Sequence, residues 1–172
     1  MTDETMNPSG PPKPKTQNPK PLVDTHCHLN HEDFAHDLPR VLWRAQAAGV
    51  QHIICASYDL ESSLLAVKMA SENGMVSASV GIHPHDAITL TAEVEEQLKA
   101  LASDKNVVAF GEAGLDYYSD LSPRDVQQAA FRWHIRLAAE LELPLIVHSR
   151  DAQQDVIRIL REEGMPSRGV VM

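Results

Sequence analysis

The stretch "VDTHCHLN", residues 23–30, joins a short apolar start to two histidines that stand one residue apart. If it forms a β-strand, its side chains alternate between two faces, so Asp24, His26 and His28 share one face. A polar trio on one face of a strand needs a partner, which can be solvent, a hydrogen-bond network or a metal ion. The rest of the sequence indicates which of these three partners applies.

Beyond this stretch, apolar segments of strand length alternate with amphipathic segments of helix length. The predicted strands are 22–28, 51–57, 75–82, 107–112 and 144–149, with the start of a sixth at 169–172. The predicted helices are 34–49, 59–74, 91–103, 122–143 and 151–164. Strict alternation with short connections is typical of a parallel sheet, either an open doubly wound sheet or a (β/α)8 barrel.

Polar side chains stand at the carboxyl ends of almost all the predicted strands. They are His26 and His28, His83 and His85, Glu112, and His148. In a TIM barrel the active-site residues collect at this rim, whereas the dinucleotide-binding alternative would need a G-x-G-x-x-G motif after the first strand, which is missing. The pattern therefore favours an α/β TIM (β/α)8 barrel, of which this sequence holds about the first five βα units and the start of strand six.

Composition limits the class of protein. The chain has 172 residues, 43% of them apolar and 23% charged, which suits a globular domain. The net charge of −9 argues against a broad basic surface for nucleic acid, although bound cations can dominate the field of a site. Only two cysteines are present, so we expect a reducing, cytoplasmic location and no disulfide framework. No apolar run is long enough to span a membrane.

The sequence divides into two parts that differ in composition. Residues 1–21 contain six of the eleven prolines and little that can be buried, which predicts a disordered, proline-rich tail. Residues 22–172 then form the N-terminal part of the predicted barrel.

The residues at the strand ends favour a metal site over a purely structural hydrogen-bond network. Histidine and carboxylate are the usual ligands of zinc, manganese and similar divalent ions. A carboxylate can bridge two ions, and paired ions suit the hydrolysis of phosphate esters. We assign catalytic roles to Glu112 and His83.

Four residues near the rim are candidates for binding substrate. His83 and His85, in "GIHPHD", could donate hydrogen bonds to a phosphate or carbonyl oxygen, or could simply bond to their own loop. Arg150 could hold a phosphate. Asp116 could contact substrate, orient a ligand from behind, or shape its loop.

Four motifs, "DTHCHLN", "GIHPHDA", "GEAGLDYY" and "PLIVHSRDA", resemble in order and spacing the TatD family of metal-dependent deoxyribonucleases, which belongs to the amidohydrolase-like metal-dependent hydrolases with a TIM barrel. The resemblance implies that His26 and His28 bind one ion, that Glu112 bridges, and that His148 binds a second. It implies two divalent ions (Mg, Mn or Zn), DNA or a nucleotide as substrate, and 3′–5′ exonuclease activity. No obligate protein partner and no membrane are implied.

The sequence departs from the family pattern in three places. Asn30 stands where an aspartate is common, and Tyr58 where a threonine is common. The family also has a metal-binding histidine after the sixth strand and an aspartate near the last strand, and this sequence stops at Met172 before either. We therefore expect the chain alone to be inactive. The alternatives are an amidohydrolase or deacylase on the same barrel, or an inactive metal-binding fragment.

Overall fold

The computed structural model describes residues 20–172. The predicted disordered tail, apart from its last two residues, therefore lies outside the described residues. Within them, six strands are present: β1 (Leu22–Cys27), β2 (Val50–Cys55), β3 (Val76–Val80), β4 (Val107–Asp116), β5 (Leu145–Arg150) and β6 (Val170–Val171). The helices between them are α1 (Leu38–Ala47), α2 (Leu60–Glu72), α3 (Ala92–Ala102), α4 (Arg124–Glu140) and α5 (Gln153–Glu163). Short 3-10 helices span Glu32–Phe34 and Pro84–Thr89.

The six described strands form one parallel sheet in the order β1-β2-β3-β4-β5-β6. Each strand pairs with the next one in the chain, and a helix covers each crossover. This sequential order, in which no strand is skipped, is that of a (β/α) barrel wall, whereas a doubly wound sheet reverses its order at a switch point. The predicted fold class is confirmed for the five βα units and the sixth strand.

The largest differences from the predicted elements concern the first helix and the fourth strand. Helix α1 begins at Leu38 and not near residue 34, with Pro39 in its first turn, where the missing N–H costs no hydrogen bond. Strand β4 continues to Asp116, four residues past its predicted end. Glu112 consequently lies inside the strand and not at its end, although its side chain still faces the carboxyl-end rim.

Local sequence explains where α2 begins, but not how α4 begins. The Asp59 carboxylate accepts a hydrogen bond from the Ser62 N–H at 2.7 Å, and the Ser62 hydroxyl accepts one from the Asp59 N–H at 2.9 Å, which is a capping box for α2. Ser122 and Pro123 also predict a cap, for α4. Here the Ser122 hydroxyl instead donates to the carbonyl oxygen of His85 at 2.7 Å, because that loop lies against the start of α4.

The hydrophobic core lies between the sheet and the helices that cover it. Phe110 on β4, Phe131 and Ile135 on α4, Leu145 on β5 and Ile159 on α5 have no exposed surface. Full burial of such side chains stabilises the fold by roughly 1.5–3 kcal/mol each. This packing fixes β4 and β5 against the helices, and these two strands carry Glu112, Asp116 and His148. None of the helices within residues 20–172 is long and apolar enough to cross a membrane.

Candidate metal centre and active site

Strands β3, β4 and β5 approach one another unusually closely at the polar rim. A Cβ on Gly81 would lie 2.6 Å from the Cα of Gly111. A Cβ on Gly114, whose φ is +154°, would lie 2.0 Å from the carbonyl oxygen of His148. Only glycine fits such contacts, and the close approach brings the side chains of β4 and β5 within bonding distance.

The side chain of Glu112 stands at the centre of the rim and offers one oxygen to each side. Its Oε2 lies 3.2 Å from Nε2 of His26 and 3.8 Å from Nε2 of His28. Its Oε1 lies 3.1 Å from Nδ1 of His148. The carboxylate thus connects the two histidines at the end of β1 to the histidine of β5, as a bridging ligand would.

The ring of His28 is oriented by the backbone. Its Nδ1 lies 3.0 Å from the carbonyl oxygen of Ala56, which can only accept, so Nδ1 carries the proton and donates it. Nε2 is then the unprotonated nitrogen and faces Glu112. A histidine that donates from one nitrogen to a backbone carbonyl and presents the other is the usual arrangement of a metal ligand.

The charged groups of this cluster shift one another's pKa values. Burial raises the pKa of Glu112, but the hydrogen bonds from His148 and His26 and the positive charge of His26 outweigh burial and hold that pKa well below its usual range. The hydrogen bond to Glu112 raises the pKa of His26. Burial lowers the pKa of His148, yet its hydrogen bonds and charge interactions with Glu112 and Asp116 prevail and raise it. Glu112 is therefore an anion that attracts cations.

Among residues 20–172, two groups have ligand atoms that all lie within 4.8 Å of one another: His26, His28 and Glu112, and His83, Glu112 and His148. Imidazole nitrogens and a shared carboxylate are a donor set that suits zinc, manganese and similar ions. The residues present therefore fit a divalent metal centre. The four sequence-predicted ligands, His26, His28, Glu112 and His148, come together, and His83 joins the second group.

His83 is held as a neutral ring. Its Nδ1 accepts a hydrogen bond from the N–H of His85 at 3.2 Å, which leaves its proton on Nε2. Burial, together with the nearby positive charge of His148 and His85, lowers the pKa of His83 to about 4. In this state Nε2 carries the proton and is available as a hydrogen-bond donor.

His85 and Asp116 lie behind the cluster as a pair. The His85 Nε2 is 2.7 Å from Oδ2 of Asp116, and the Asp116 side chain has no exposed surface. Asp116 does not line the cavity described below, so its position favours a supporting role over substrate contact.

Arg150 lies at the exposed end of β5, and its guanidinium stacks on the Tyr118 ring, 3.9 Å from the ring centroid. The Tyr118 side chain is itself 66% exposed. Arg150 is not among the described residues that line the cavity, so any contact it makes with substrate is at the outer rim.

A cavity of about 440 Å³ opens over the metal cluster. Six of the predicted site residues line it: His26, His28, His83, His85, Glu112 and His148. His31, Tyr58 and Asp86, which were not predicted to belong to the site, complete the lining. Tyr58 stacks edge-on against His28 with ring centroids 5.8 Å apart. The signal for Tyr58 was its place directly after the second predicted strand, where rim residues are expected. His31 and Asp86 stand beside motif histidines, but nothing in their spacing distinguishes them from loop residues.

The comparisons with known proteins agree on one family. A family model described as TatD related DNase matches residues 23–172. The uncharacterized metal-dependent hydrolase YabD of Bacillus subtilis is 44% identical over 151 residues, which are 88% of this chain and 59% of that protein. The 3'-5' ssDNA/RNA exonuclease TatD of Cronobacter sakazakii is 37% identical over 139 residues, covering 81% of this chain and 53% of that protein. The chain thus spans little more than half the length of these relatives.

Solved structures agree with this result. The TatD homologue YjjV of Escherichia coli superposes with a TM-score of 0.81 at 32% identity, covering 87% of this chain and 59% of that one. A hydrolase of the TatD family from Entamoeba histolytica gives a TM-score of 0.78 at 25% identity, covering 84% of this chain and 55% of that one.

Proposed function

Because the chain belongs to the family of TatD related DNases, we propose that it hydrolyses phosphodiester bonds of DNA as a metal-dependent, 3′–5′ exonuclease-like enzyme. The observation that carries this proposal is the position of Glu112, with one carboxylate oxygen facing His26 and His28 and the other facing His148. The Cronobacter sakazakii relative is named a 3'-5' ssDNA/RNA exonuclease, which supports the choice of substrate class.

In this proposal His26 and His28 would hold one divalent ion, His148 would hold a second, and Glu112 would be shared. Such ions would supply activation of a water molecule and stabilisation of the negative charge on the entering and leaving oxygens of a phosphodiester. Glu112 supplies the negative charge that keeps the ions together, and burial of its carboxylate strengthens that attraction.

His83 and Arg150 act on the substrate. The Nε2–H of His83 donates to a phosphate oxygen, which it can do at neutral pH without carrying a charge. His85 fixes the His83 ring through its backbone N–H. Arg150 meets a phosphate at the outer rim, where its stacking on Tyr118 limits its motion.

The test is cleavage of end-labelled oligonucleotides in the presence of Mg²⁺, Mn²⁺ or Zn²⁺. Because the chain covers 59% of the Bacillus subtilis relative, the assay is run on the chain alone and on a fusion to the part of that relative that follows the matched residues. Single-stranded DNA and RNA are compared, with an amide and an ester substrate alongside. Stepwise loss of nucleotides from the 3′ end supports the proposal. Turnover of the amide or ester alone would show an amidohydrolase or deacylase instead.

A further inference from the structure

The carboxylate of Asp116 accepts an unusually large number of hydrogen bonds for a residue at the end of a strand. Its Oδ1 accepts from the backbone N–H groups of Tyr118 and Ser119, at 3.0 and 2.7 Å. Its Oδ2 accepts from the hydroxyl of Ser119 at 3.2 Å and faces Nε2 of His85 at 2.7 Å and Nε2 of His148 at 3.2 Å. All of its acceptor positions are therefore used inside the protein.

The directions of these bonds follow from the chemistry of the partners. An ionised carboxylate can only accept, so the Nε2 atoms of both His85 and His148 must carry protons. The other nitrogen of His148, Nδ1, points to Oε1 of Glu112 at 3.1 Å. Without an ion, Nδ1 therefore also carries a proton and donates it to Glu112. A metal ion beside Glu112 would take the place of that Nδ1 proton, whereas the Nε2 proton stays in its bond to Asp116.

A second buried residue fixes Asp116 itself. Gln127 on α4 has no exposed surface, and its side chain is bonded to the backbone of Asp116 on both sides. Its Oε1 accepts from the Asp116 N–H at 2.8 Å, and its Nε2 donates to the Asp116 carbonyl oxygen at 3.2 Å. The end of β4 is thus held by a side chain of α4, and not by strand pairing alone.

We propose that Asp116 is a positioning residue that keeps the proton of His148 on Nε2, so that Nδ1 is the nitrogen that binds metal beside Glu112. This inference rests on the proposed metal centre and adds to it the ligating atom of His148 and the residue that selects that atom. It replaces substrate contact as the role of Asp116, because the carboxylate is fully buried.

The competing explanation is that Asp116 merely closes the loop after β4 through its bonds to Tyr118 and Ser119. The two explanations differ in what an amide does at this position. In Asp116→Asn, one oxygen can still accept from the loop N–H groups, but the NH2 group takes the place of Oδ2. The NH2 group would then face the Nε2–H groups of His85 and His148, and donors would oppose donors. His148 would relieve the clash by moving its proton to Nδ1, which blocks metal binding.

The matched control is Asp120→Asn, the same chemical change four residues along the chain. Asp120 is exposed and pairs with Arg124 at 3.1 Å. Its φ of +50° suits asparagine, so this variant loses one charge near the site with little strain.

The experiment uses the full chain loaded with Zn²⁺ and needs no nucleic acid. Competition with a chromophoric chelator gives the Zn²⁺ affinity, and ¹⁵N spectra of the imidazole rings identify the ligating nitrogen of His148. We expect Asp116→Asn to weaken Zn²⁺ binding about 10- to 100-fold, the usual cost of removing a partner that orients a ligand. Asp120→Asn should bind as the wild type does.

Three results would overturn the inference. One is an Asp116→Asn protein that melts at a lower temperature yet binds Zn²⁺ as tightly as Asp120→Asn, which is the outcome expected from loop closure alone. Another is a wild-type spectrum in which Nε2 of His148 is the ligating atom, a measurement that needs no variant to fold. The third is a wild-type chain that binds no Zn²⁺. If the Zn²⁺ affinities and the ligating nitrogen of His148 are as expected but the protein cleaves no nucleic acid, the proposed function is contradicted and the role of Asp116 stands.

Discussion

Gly114 and His148 lie side by side on β4 and β5, so close that a Cβ on Gly114 would meet the His148 carbonyl oxygen at 2.0 Å. The two residues are paired in the strand register. The same short stretch of β4 also carries Glu112 and Asp116, the two carboxylates that contact the His148 ring. The spacing between these strands therefore decides whether the ring can reach both.

Gly114→Ala should force β4 and β5 apart and damage the cluster. The positive φ of +154° and the overlap with His148 each oppose a Cβ, so we expect a loss of at least about 2 kcal/mol in the free energy of unfolding. Gly74→Ala is the control, since a Cβ there would meet nothing within 4 Å. Urea unfolding of both variants measures the effect, and equal stability would mean that the strands are not as close as described.

In the fusion that supplies the rest of the barrel, which is also the protein for the next turnover prediction, Glu112→Gln should remove turnover while the fold persists. The amide keeps the volume of the side chain but loses the charge shared between His26 and His148. We expect cleavage to fall by more than about a hundredfold, beyond the upper cost of altering a residue that only orients a ligand. Glu72→Gln, at an exposed position on α2, is the control for loss of one carboxylate. The measurement is the cleavage rate beside the melting temperature, and a near-normal rate would refute the bridging role.

His83→Ala should lower turnover and leave the metal content unchanged. Its Nδ1 is already used by the His85 N–H, so its remaining nitrogen is a donor and not a ligand. The geometry also admits the opposite result, since the ring falls within the second ligand group. Elemental analysis of the purified variant decides between the two. Loss of one ion per chain would make His83 a ligand.

Much of this arrangement could be predicted from the sequence because two simple periodicities carry it. Alternating side chains put His26 and His28 on one face of a strand, and the strand–helix rhythm places successive strand ends along one rim. Those two facts bring His26, His28, Glu112 and His148 together before any coordinates are known. Family resemblance then adds the roles of bridging and terminal ligands.

The remaining features depend on contacts between residues distant in sequence, which periodicity does not encode. Gln127 lies in a helix, and nothing in the sequence distinguishes it from other polar helix residues. Its side chain nevertheless bonds to the backbone of Asp116. Strand β4 continues to Asp116 because pairing with β5 extends to Arg150, beyond the apolar run from which its end was predicted. Tyr58 and His31 reach the cavity only because their loops turn toward it.

His134 is another residue that the sequence did not single out, and it should make the protein sensitive to acid. The ring has no exposed surface, and its Nε2 accepts a hydrogen bond from the Ile82 N–H at 3.0 Å. Burial lowers its pKa from 6.5 to about 4, and the bond to the Ala130 carbonyl only partly opposes that shift. A depressed histidine pKa means that the unfolded chain takes up the proton first as the pH falls.

The contribution of His134 to stability is therefore fully present above pH 6.5, is lost as the pH falls toward 4, and changes no further below that. The difference of 6.5 − 4, about 2.5 pKa units, corresponds to about 3 kcal/mol. The measurement is urea unfolding at several pH values between 7.5 and 4 for the wild type, His134→Gln and the exposed-site control His36→Gln. His134→Gln should be less stable at pH 7.5 but lose about 3 kcal/mol less than the wild type on acidification. His36→Gln should follow the wild type, and parallel curves for all three proteins would contradict the assignment.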